Sequence, residues 1–385
     1  MYRLSQYRRI LKIPVSDHNA FFLWGPRKVG KTTLLRQNFP KAKWYDLLDS
    51  TLQTQLQIDP HRLTEEVVAQ AFPLVVLDEV QKVPRLLDEV HWCLENTQTC
   101  FILCGSSARK LKRGAANLLG GRAWRYQMFP LTTTEIEQPD LHRILNHGLY
   151  PQHYHATQPD KFLQGYVLDY LREEIHDEAR MRGVDTFNLF LETLASTHGQ
   201  LINYANIGRQ CGVSPGTVRG YFQILEDTLL GFTLPPWTGS TKHRLIETAK
   251  FYLCDPGLVR WLKGISKIQS KTEEFGRAFE HFLINEIRAY LAYKEKREKL
   301  YFWRTSTQQE VDLIIGSMQV AIEFKAAANV GIYDLKSMIK LKEDQPKLNR
   351  LLAVTLDERP RHLSQGIDII PWQQFCNHLW AGKII

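Results

Sequence analysis

The chain has 385 residues, of which 44% are hydrophobic and 23% charged, and its formal net charge at pH 7 is +8. These values exclude a largely disordered protein, and the length predicts two or three domains. There is no apolar run of the roughly 18 residues that a membrane helix needs. The first 14 residues are charged where a signal peptide is apolar, so we expect a cytoplasmic protein without membrane contact.

The first predicted element is a short apolar strand, Ala20–Trp24, which leads directly into Gly25-Pro-Arg-Lys-Val-Gly-Lys-Thr32. A helical stretch, Thr33–Gln37, comes next. A strand, the spacing GxxxxGK[ST] and a helix in this order are typical of a phosphate-binding loop. We therefore predict an ATP site with these candidate binding residues: Gly25, Pro26, Arg27, Lys28, Val29, Gly30, Lys31, Thr32 and Thr33.

The residue types in this loop match the chemistry of Mg²⁺·ATP. Gly25 and Gly30 let the backbone wrap closely around phosphate, so that its N–H groups face the negative charge. Lys31 is expected to reach the β- and γ-phosphates and to act in catalysis. Thr32 is expected to place its hydroxyl on Mg²⁺.

A second apolar strand, Leu74–Leu77, ends in the acids Asp78 and Glu79. A parallel sheet with a phosphate-binding loop needs a carboxylate near the magnesium ion at this place. Asp78 is the candidate for that metal contact, and Glu79 for the base that orients and deprotonates the attacking water. The plainer interpretation is a buried strand whose acids face solvent.

Two further residues are candidates for the same site. The apolar run Cys100–Cys104 is followed by Gly105, Ser106 and Ser107, and Ser106 would sense the γ-phosphate at the carboxyl end of that strand. A helix cap is an equal alternative for it. Arg122 is a candidate cation for completing a neighbouring subunit's site, and a surface arginine is the alternative.

The middle of the chain is expected to be helical from about Thr132, where Thr132-Thr-Thr-Glu135 has the spacing of a capping box, to about Ile202. Asn203–Cys211 and Pro215–Leu225 then read as two helices joined by a tight turn, a helix-turn-helix pattern. On the second helix the outward residues would be Thr217, Arg219 and Gln223.

A pair of strands follows this pattern. Leu229–Trp237 and Phe251–Cys254 could form a wing, with possible phosphate contacts at Lys242, His243 and Arg244 between them. DNA contact and a purely structural or subunit-packing use of this module both remain open.

The carboxyl-terminal part begins with a helix, Lys271–Tyr293, which carries Glu280. Three predicted strands come after it: Tyr301–Arg304, Val311–Ile315 and Val320–Lys325. Because side chains alternate along a strand, Glu323 and Lys325 share one face, and Asp312 can meet them across the ladder.

These side chains have the chemistry of metal-dependent phosphodiester cleavage. Asp312 and Glu323, with Glu280 as a third carboxylate, could hold Mg²⁺ or Mn²⁺, while Lys325 positions an attacking water or stabilises the phosphate. The plainer interpretation is a solvated hairpin in which the acids and the lysine form ordinary cross-strand pairs.

These motifs together resemble a widespread prokaryotic family of AAA-type P-loop ATPases, and the resemblance covers nearly the whole chain. It rests on Gly25–Thr33, Leu74–Glu79, Gly105–Ser107, Lys250–Gly257, Gly276–Glu280 and Glu310–Lys325. The resemblance implies an α/β multidomain protein with a parallel P-loop sheet flanked by helices (1–138), a helical lid and winged-helix region (139–268) and a domain similar to the restriction-endonuclease fold (269–385).

The function expected from these observations is a Mg²⁺-dependent ATPase that couples ATP to nucleic-acid binding, with DNA the expected partner, and to metal-dependent phosphodiester cleavage. The alternative is an ATP-controlled regulator or assembly switch that binds DNA or a protein partner without cleaving. Because AAA-type sites often borrow an arginine from a neighbour, a homo-oligomer is expected. The basic net charge suits a polyanion without requiring one.

Overall fold

The structure is a computed structural model that describes residues 7–15, 19–106, 119–171, 184–239 and 247–385. The chain divides into two compact units, one formed by Met1–Leu131 with Ile224–Leu230 and the other by Thr132–Gln223 with Gly231–Ile385. Within the described residues, no helix combines the length and apolarity that crossing a membrane requires. All six cysteines are described, and each is a buried free thiol.

The first unit is built on a five-stranded parallel sheet with the order β2-β3-β4-β1-β5. Its strands are β1 (Ala20–Trp24), β2 (Lys43–Asp46), β3 (Leu74–Asp78), β4 (Cys100–Gly105) and β5 (Ala123–Gln127). Every residue of β1 and β4 is buried, as expected for central strands of a parallel sheet covered on both faces. The predicted strands at these two positions and at β3 are confirmed.

Helices connect these strands and cover the sheet. The α-helices are Lys31–Asn38, Ser50–Ile58, Arg62–Gln70 and Leu86–Asn96, with short 3₁₀ turns at Val80–Lys82 and Leu119–Gly121. The carboxylate of Asp49 caps the second of these helices by accepting from the backbone N–H groups of Thr51 and Leu52. Because all strands run parallel, their carboxyl ends meet at one edge, where the site residues of this unit lie.

The second unit starts with a helical region, as predicted. The capping box at Thr132 is present and opens the 3₁₀ turn Thr133–Glu135. The helices that follow are Leu141–His147, Pro151–Tyr154, Pro159–Gly165, Val184–Ser196, Tyr204–Cys211, Pro215–Asp227 and Pro256–Leu262, with a π-helical stretch at Tyr166–Leu171. The helix Pro215–Asp227 is divided, because its residues from Ile224 onward belong to the first unit.

The predicted pair of helices around Gly212 is confirmed as Tyr204–Cys211 and Pro215–Asp227. On the second helix, Val218, Phe222 and Leu225 are buried. Its outward residues Thr217, Arg219 and Gln223 are exposed, as predicted. The guanidinium of Arg219 lies 4.8 Å from the ring centre of Tyr204 on the preceding helix.

Two antiparallel strands, β6 (Gly231–Leu234) and β7 (Lys250–Leu253), follow these helices. The backbone of β7 is held at Leu253, whose N–H donates to His198 Nε2 (3.1 Å) and whose carbonyl accepts from His281 Nε2 (2.6 Å). Burial lowers the pKa of both histidines, that of His281 to about 4 and that of His198 well below its ordinary value. Both rings are therefore neutral at physiological pH. The expected phosphate contacts Lys242, His243 and Arg244 lie outside the described residues.

The rest of the second unit is a six-stranded mixed sheet with the order β12-β13-β11-β10-β9-β8. Its strands are β8 (Leu300–Arg304), β9 (Glu310–Ile315), β10 (Val320–Lys325), β11 (Arg350–Thr355), β12 (Arg361–Leu363) and β13 (Ile367–Pro371). The helices around it are Glu273–Tyr293, Lys336–Asp344 and Trp372–Trp380, with a 3₁₀ turn at Ile332–Leu335. The predicted helix and the first three strands are confirmed to within two residues.

Candidate nucleotide site and carboxylate cluster

The loop after β1 has a backbone that requires glycine at two positions. Gly30 has φ 96° and forms the N-terminal boundary of the helix Lys31–Asn38, a conformation that glycine adopts without strain. A Cβ on Gly25 would lie 2.6 Å from the carbonyl oxygen of Met128. Both glycines of the motif are therefore required by the geometry of this loop.

The side chain of Lys31 lies inside the loop. Its ammonium donates to the carbonyl oxygens of Gly25 (2.7 Å) and Pro26 (3.0 Å), and the residue is buried. Lysine has three donors and no acceptor, so carbonyls that hold it here can be exchanged for phosphate oxygens. Lys31 is the first residue of the helix Lys31–Asn38, and its ammonium lies against the first two residues of the loop.

Two oxygen atoms that could serve as metal ligands, Thr32 Oγ1 and Asp78 Oδ2, lie close together between the loop and β3. Thr32 Oγ1 donates to Asp78 Oδ2 at 2.7 Å, although the two residues are 46 positions apart in sequence. Burial raises the pKa of Asp78, an effect that the Thr32 hydroxyl partly offsets. A hydroxyl and a carboxylate side by side are the donors that Mg²⁺ prefers, so these residues fit the metal that an ATP site implies.

Glu79 follows Asp78 and has an unusual backbone, with φ 57°. Its Oε2 accepts a hydrogen bond from the amide of Gln81, and the same amide donates to Ser106 Oγ at 3.3 Å. The structure therefore brings three predicted residues, Asp78, Glu79 and Ser106, to one edge of the sheet. Gln81 was not predicted, because a glutamine two positions beyond the acids belongs to no motif.

A buried arginine outside the motif also contacts the loop. Arg9 donates to the carbonyl oxygens of Val29, Phe129 (2.7 Å) and Pro130 (3.2 Å). Its partners lie up to 121 positions away in sequence, so no local pattern could have identified it. Arg9 fixes the loop to the segment that follows β5.

Arg122 lies on the surface of the first unit. Its guanidinium forms an ion pair with Glu95 at 2.5 Å, and both side chains are about half exposed. Among the described residues, the arginine is thus a half-exposed cation paired with the carboxylate of Glu95.

The second site is a cluster of charged side chains in the mixed sheet. Lys325 Nζ and Glu323 Oε1 are 2.7 Å apart, and Asp312 Oδ2 accepts from the N–H of Phe324 at 2.8 Å. Burial raises the pKa of Asp312, and the neighbouring carboxylates Glu323 and Glu280 raise it further. The four predicted residues Glu280, Asp312, Glu323 and Lys325 are therefore neighbours.

Sequence reasoning missed one member of this cluster, Lys250 on β7. Its buried ammonium lies 2.5 Å from Glu310 and 3.7 Å from Glu280. Burial lowers the pKa of Lys250, but these carboxylates outweigh it and the net pKa is raised. Tyr252 OH donates to Glu280 Oε1 at 2.5 Å.

A cavity of about 480 Å³ opens beside this cluster. It is lined by His198, Gly199, Gln200, Leu201, Lys250, Tyr252, Arg277, Glu280, Arg304 and Glu310. Cations and carboxylates thus share its wall, so the cavity suits a polar ligand.

The cluster differs from the geometry expected of a metal site. Across the part of the chain that the structure describes, no three histidine, cysteine, aspartate or glutamate side chains are grouped so as to hold a metal ion. Glu280 faces Lys250 and Glu323 faces Lys325 instead. The donor atoms are of the right kind for Mg²⁺, but ammonium groups neutralise them in this arrangement.

Three stretches of the chain match known protein families. Residues 17–137 match an AAA domain, residues 138–269 a domain of unknown function (DUF8612) and residues 275–375 another (DUF4143). The first match agrees with the parallel sheet and the phosphate-binding loop. Residues 17–137 are therefore similar to AAA domains, and their five-stranded parallel sheet flanked by helices fits the P-loop AAA fold.

Among curated relatives, uncharacterized proteins of Mycobacterium tuberculosis and Mycobacterium bovis are each 28% identical over 363 residues, covering 91% of this chain and 80% of theirs. A Haemophilus influenzae protein is 24% identical over 204 residues, covering 48% of this chain and 51% of its own.

Two solved structures show a weaker similarity. The Aeropyrum pernix ORC1 protein in complex with DNA aligns with a TM-score of 0.31 and 10% identity, covering 64% of this chain and 86% of that one. A Pyrococcus horikoshii STAND protein aligns with a TM-score of 0.22 and 13% identity, covering 76% and 49%. Both TM-scores are too low to indicate a shared overall fold.

Proposed function

We propose that the protein binds Mg²⁺·ATP at the loop after β1 and hydrolyses it. The observation that supports this most directly is the 2.7 Å contact between Thr32 Oγ1 and Asp78 Oδ2. It places a hydroxyl from the loop and a buried carboxylate from β3 at one point, as a P-loop nucleotide site requires. Glu79 follows at the carboxyl end of the same strand.

The roles of the residues follow from their chemistry. The backbone N–H groups of the loop and the amino end of the helix Lys31–Asn38 hold phosphate, and Lys31 exchanges its loop carbonyls for β- and γ-phosphate oxygens. Thr32 and Asp78 hold Mg²⁺, which neutralises phosphate charge when bound. Glu79 accepts a proton from the attacking water, and Ser106 contacts the γ-phosphate.

We propose a homo-oligomer in which Arg122 completes the site of a neighbouring copy. Its support is that the guanidinium is exposed rather than buried and pairs with Glu95 at the surface. A loose phosphoryl transition state gains from such a cation supplied in trans.

Lys31→Ala is expected to weaken ATP binding at least tenfold and to abolish hydrolysis, because the ammonium of Lys31 lies buried inside the loop, whereas Arg27 is half-buried and Lys28 exposed. Binding is measured with a fluorescent ATP analogue and turnover by phosphate release. Lys41→Ala, which removes an exposed lysine of the same unit, serves as the control. Equal turnover in wild type and Lys31→Ala would refute the proposed site.

A second proposed function is the coupling of ATP to nucleic-acid binding. Its support is the pair of helices Tyr204–Cys211 and Pro215–Asp227, which present Thr217, Arg219 and Gln223 to solvent on the second helix. A helix held in this way can enter a major groove, as in a winged-helix module. The net charge of +8 favours approach to a polyanion.

Phosphodiester cleavage is proposed as the chemistry of the carboxylate cluster, and with it a restriction-endonuclease-like fold for this part of the chain. The supporting observation is that Glu280, Asp312, Glu323 and Lys325 come together from a helix and two strands. Lys325 would position water or stabilise phosphate there, and the carboxylates would hold Mg²⁺ or Mn²⁺ once released from their ammonium partners. The ion pairs that occupy the cluster favour the alternative, a regulator that binds without cleaving.

Asp312→Ala and Lys325→Ala are expected to abolish metal-dependent cleavage of DNA while ATP turnover stays within about twofold, because the two sites lie in separate units. Supercoiled, linear and single-stranded DNA and RNA are incubated with Mg²⁺ or Mn²⁺, with and without ATP. Lys340→Ala is the matched control, because Lys340 is a partly exposed lysine of the helix Lys336–Asp344 that pairs with Glu343. Absence of cleavage by wild type on every substrate would establish the regulator instead.

A further inference from the structure

Gln81 and its partner Glu79 share three features that cost folding free energy. The residue is buried, and no described group hydrogen-bonds its amide oxygen. Its partner Glu79 is a buried acid whose backbone has the left-handed φ of 57°. Unpaired buried oxygens and left-handed non-glycine residues each destabilise a fold, and both are found at functional sites.

The neighbouring strand leaves room for this amide. A Cβ on Gly105, the last residue of β4, would lie 2.4 Å from Gln81 Oε1 and 2.9 Å from the ring of Trp24. Any larger residue at position 105 would displace Gln81 from Glu79. The position of Gln81 is therefore built into two separate segments of the first unit.

The hydrogen bonds of Gln81 connect two residues of the site. One amide hydrogen is directed at Glu79 Oε2 and the other at Ser106 Oγ. Because the serine oxygen accepts from Gln81, its own hydrogen is left to donate to a further oxygen, such as a γ-phosphate oxygen. The result is a continuous hydrogen-bonded path from Ser106 through Gln81 to Glu79.

We propose that Gln81 is a positioning residue that couples Ser106 to Glu79, so that the Glu79 carboxylate is directed at the attacking water when a γ-phosphate engages Ser106. This role rests on the proposed ATP hydrolysis. A neutral amide suits it, because it holds a carboxylate in place without adding a charge that would lower its basicity. A lysine or arginine would hold Glu79 but weaken it as a base.

Gln81→Met removes both donors and keeps the side-chain length, so kcat for ATP is expected to fall about tenfold or more, since a misdirected base slows only the chemical step. The Kd of a fluorescent ATP analogue is expected to stay within twofold. Gln57→Met is the control with the same chemical change, because Gln57 is exposed on the helix Ser50–Ile58 and its amide donates to the carbonyl of Lys82 rather than to Glu79 or Ser106. A purely structural role would weaken binding, thermal stability and kcat together.

Ser106→Ala and the double variant test the coupling itself. If Ser106 acts on Glu79 through Gln81, the double variant of Ser106→Ala and Gln81→Met has a kcat no lower than that of the slower single variant. Multiplied losses, or an unchanged kcat in Gln81→Met, would overturn the inference while leaving ATP hydrolysis intact. Wild-type protein that binds ATP without turnover would overturn the proposed function and this role with it.

A second substitution covers the case in which Gln81→Met does not fold. Gln81→Glu has the same shape but replaces the donor facing Glu79 by an acceptor, and it is expected to lose kcat to a similar extent. Folding of each variant is checked by thermal unfolding. A fully active Gln81→Glu protein would overturn the inference.

Discussion

Glu79→Gln is expected to lower kcat for ATP hydrolysis about a thousandfold while ATP stays bound, since a general base contributes roughly 10²–10⁴ to the rate. An amide has nearly the shape of the carboxylate but cannot accept the proton of the attacking water. Lys31, Thr32 and Asp78, the residues proposed to hold phosphate and Mg²⁺, make their contacts without the substituted group. The variant should therefore trap ATP on the protein.

The measurement is single-turnover hydrolysis of radiolabelled ATP together with the dissociation rate of bound nucleotide. Glu65→Gln, an exposed glutamate on the helix Arg62–Gln70, provides the control with the same chemical change. Hydrolysis by Glu79→Gln at more than about a tenth of the wild-type rate would assign the base to another group. Asp78, whose pKa is raised by burial, is the first to examine in that case.

Gly148→Ala is expected to destabilise the second unit by about 4 kcal/mol or more, which is at the upper end for single substitutions. Gly148 has φ 80° and ψ −176°, a region that residues with a Cβ avoid. The added Cβ would lie 2.1 Å from Asp255 Oδ1. Asp255 is fully buried, and burial raises its pKa to about 6.

The clash would displace a carboxylate that holds two segments together. Asp255 accepts from the N–H of Leu149 (2.5 Å) and from that of Leu258 (3.0 Å), where it caps the helix Pro256–Leu262. Each buried N–H left without its acceptor costs roughly 1–3 kcal/mol, in addition to the backbone strain. The segment that follows β7 would then lose the hydrogen bonds that Asp255 accepts from Leu149 and Leu258.

Thermal and denaturant unfolding measure this effect. Gly264→Ala is the matched control, because Gly264 also has a positive φ, 67°, but no described atom lies within 4 Å of the added Cβ. It isolates the backbone cost, about 1 kcal/mol. Equal unfolding free energies for the two variants would show that the contact with Asp255 does not contribute.

Much of the nucleotide site was predictable because its residues are contiguous. The loop from Gly25 to Thr32 carries its own chemistry in eight neighbouring positions, and Asp78 and Glu79 directly end an apolar strand. Patterns of this kind depend on local geometry, which the order of residues determines. The hairpin of β9 and β10 was predictable for the same reason, since alternation alone puts Glu323 and Lys325 on one face.

The later strands of the mixed sheet were not predicted. β11 pairs in parallel with β10, and β13 in parallel with β11, so both join the sheet through crossovers. A parallel pairing needs an intervening connection and leaves no turn signal between partners. The apolar run of Arg350–Thr355 is compatible with such a strand, but nothing near it in sequence identifies its neighbours.

By itself, then, the sequence determined the phosphate-binding loop, the acids that follow β3, the pair of helices around Gly212 and the hairpin with its acids and lysine. The tertiary structure alone decided that Arg9 braces the loop, that Gln81 joins Ser106 to Glu79 and that Lys250 enters the carboxylate cluster. The physical reason is how far apart in sequence the interacting residues lie. Local patterns reflect backbone geometry over a few residues, whereas these contacts join segments that only the packing of sheets and helices brings together.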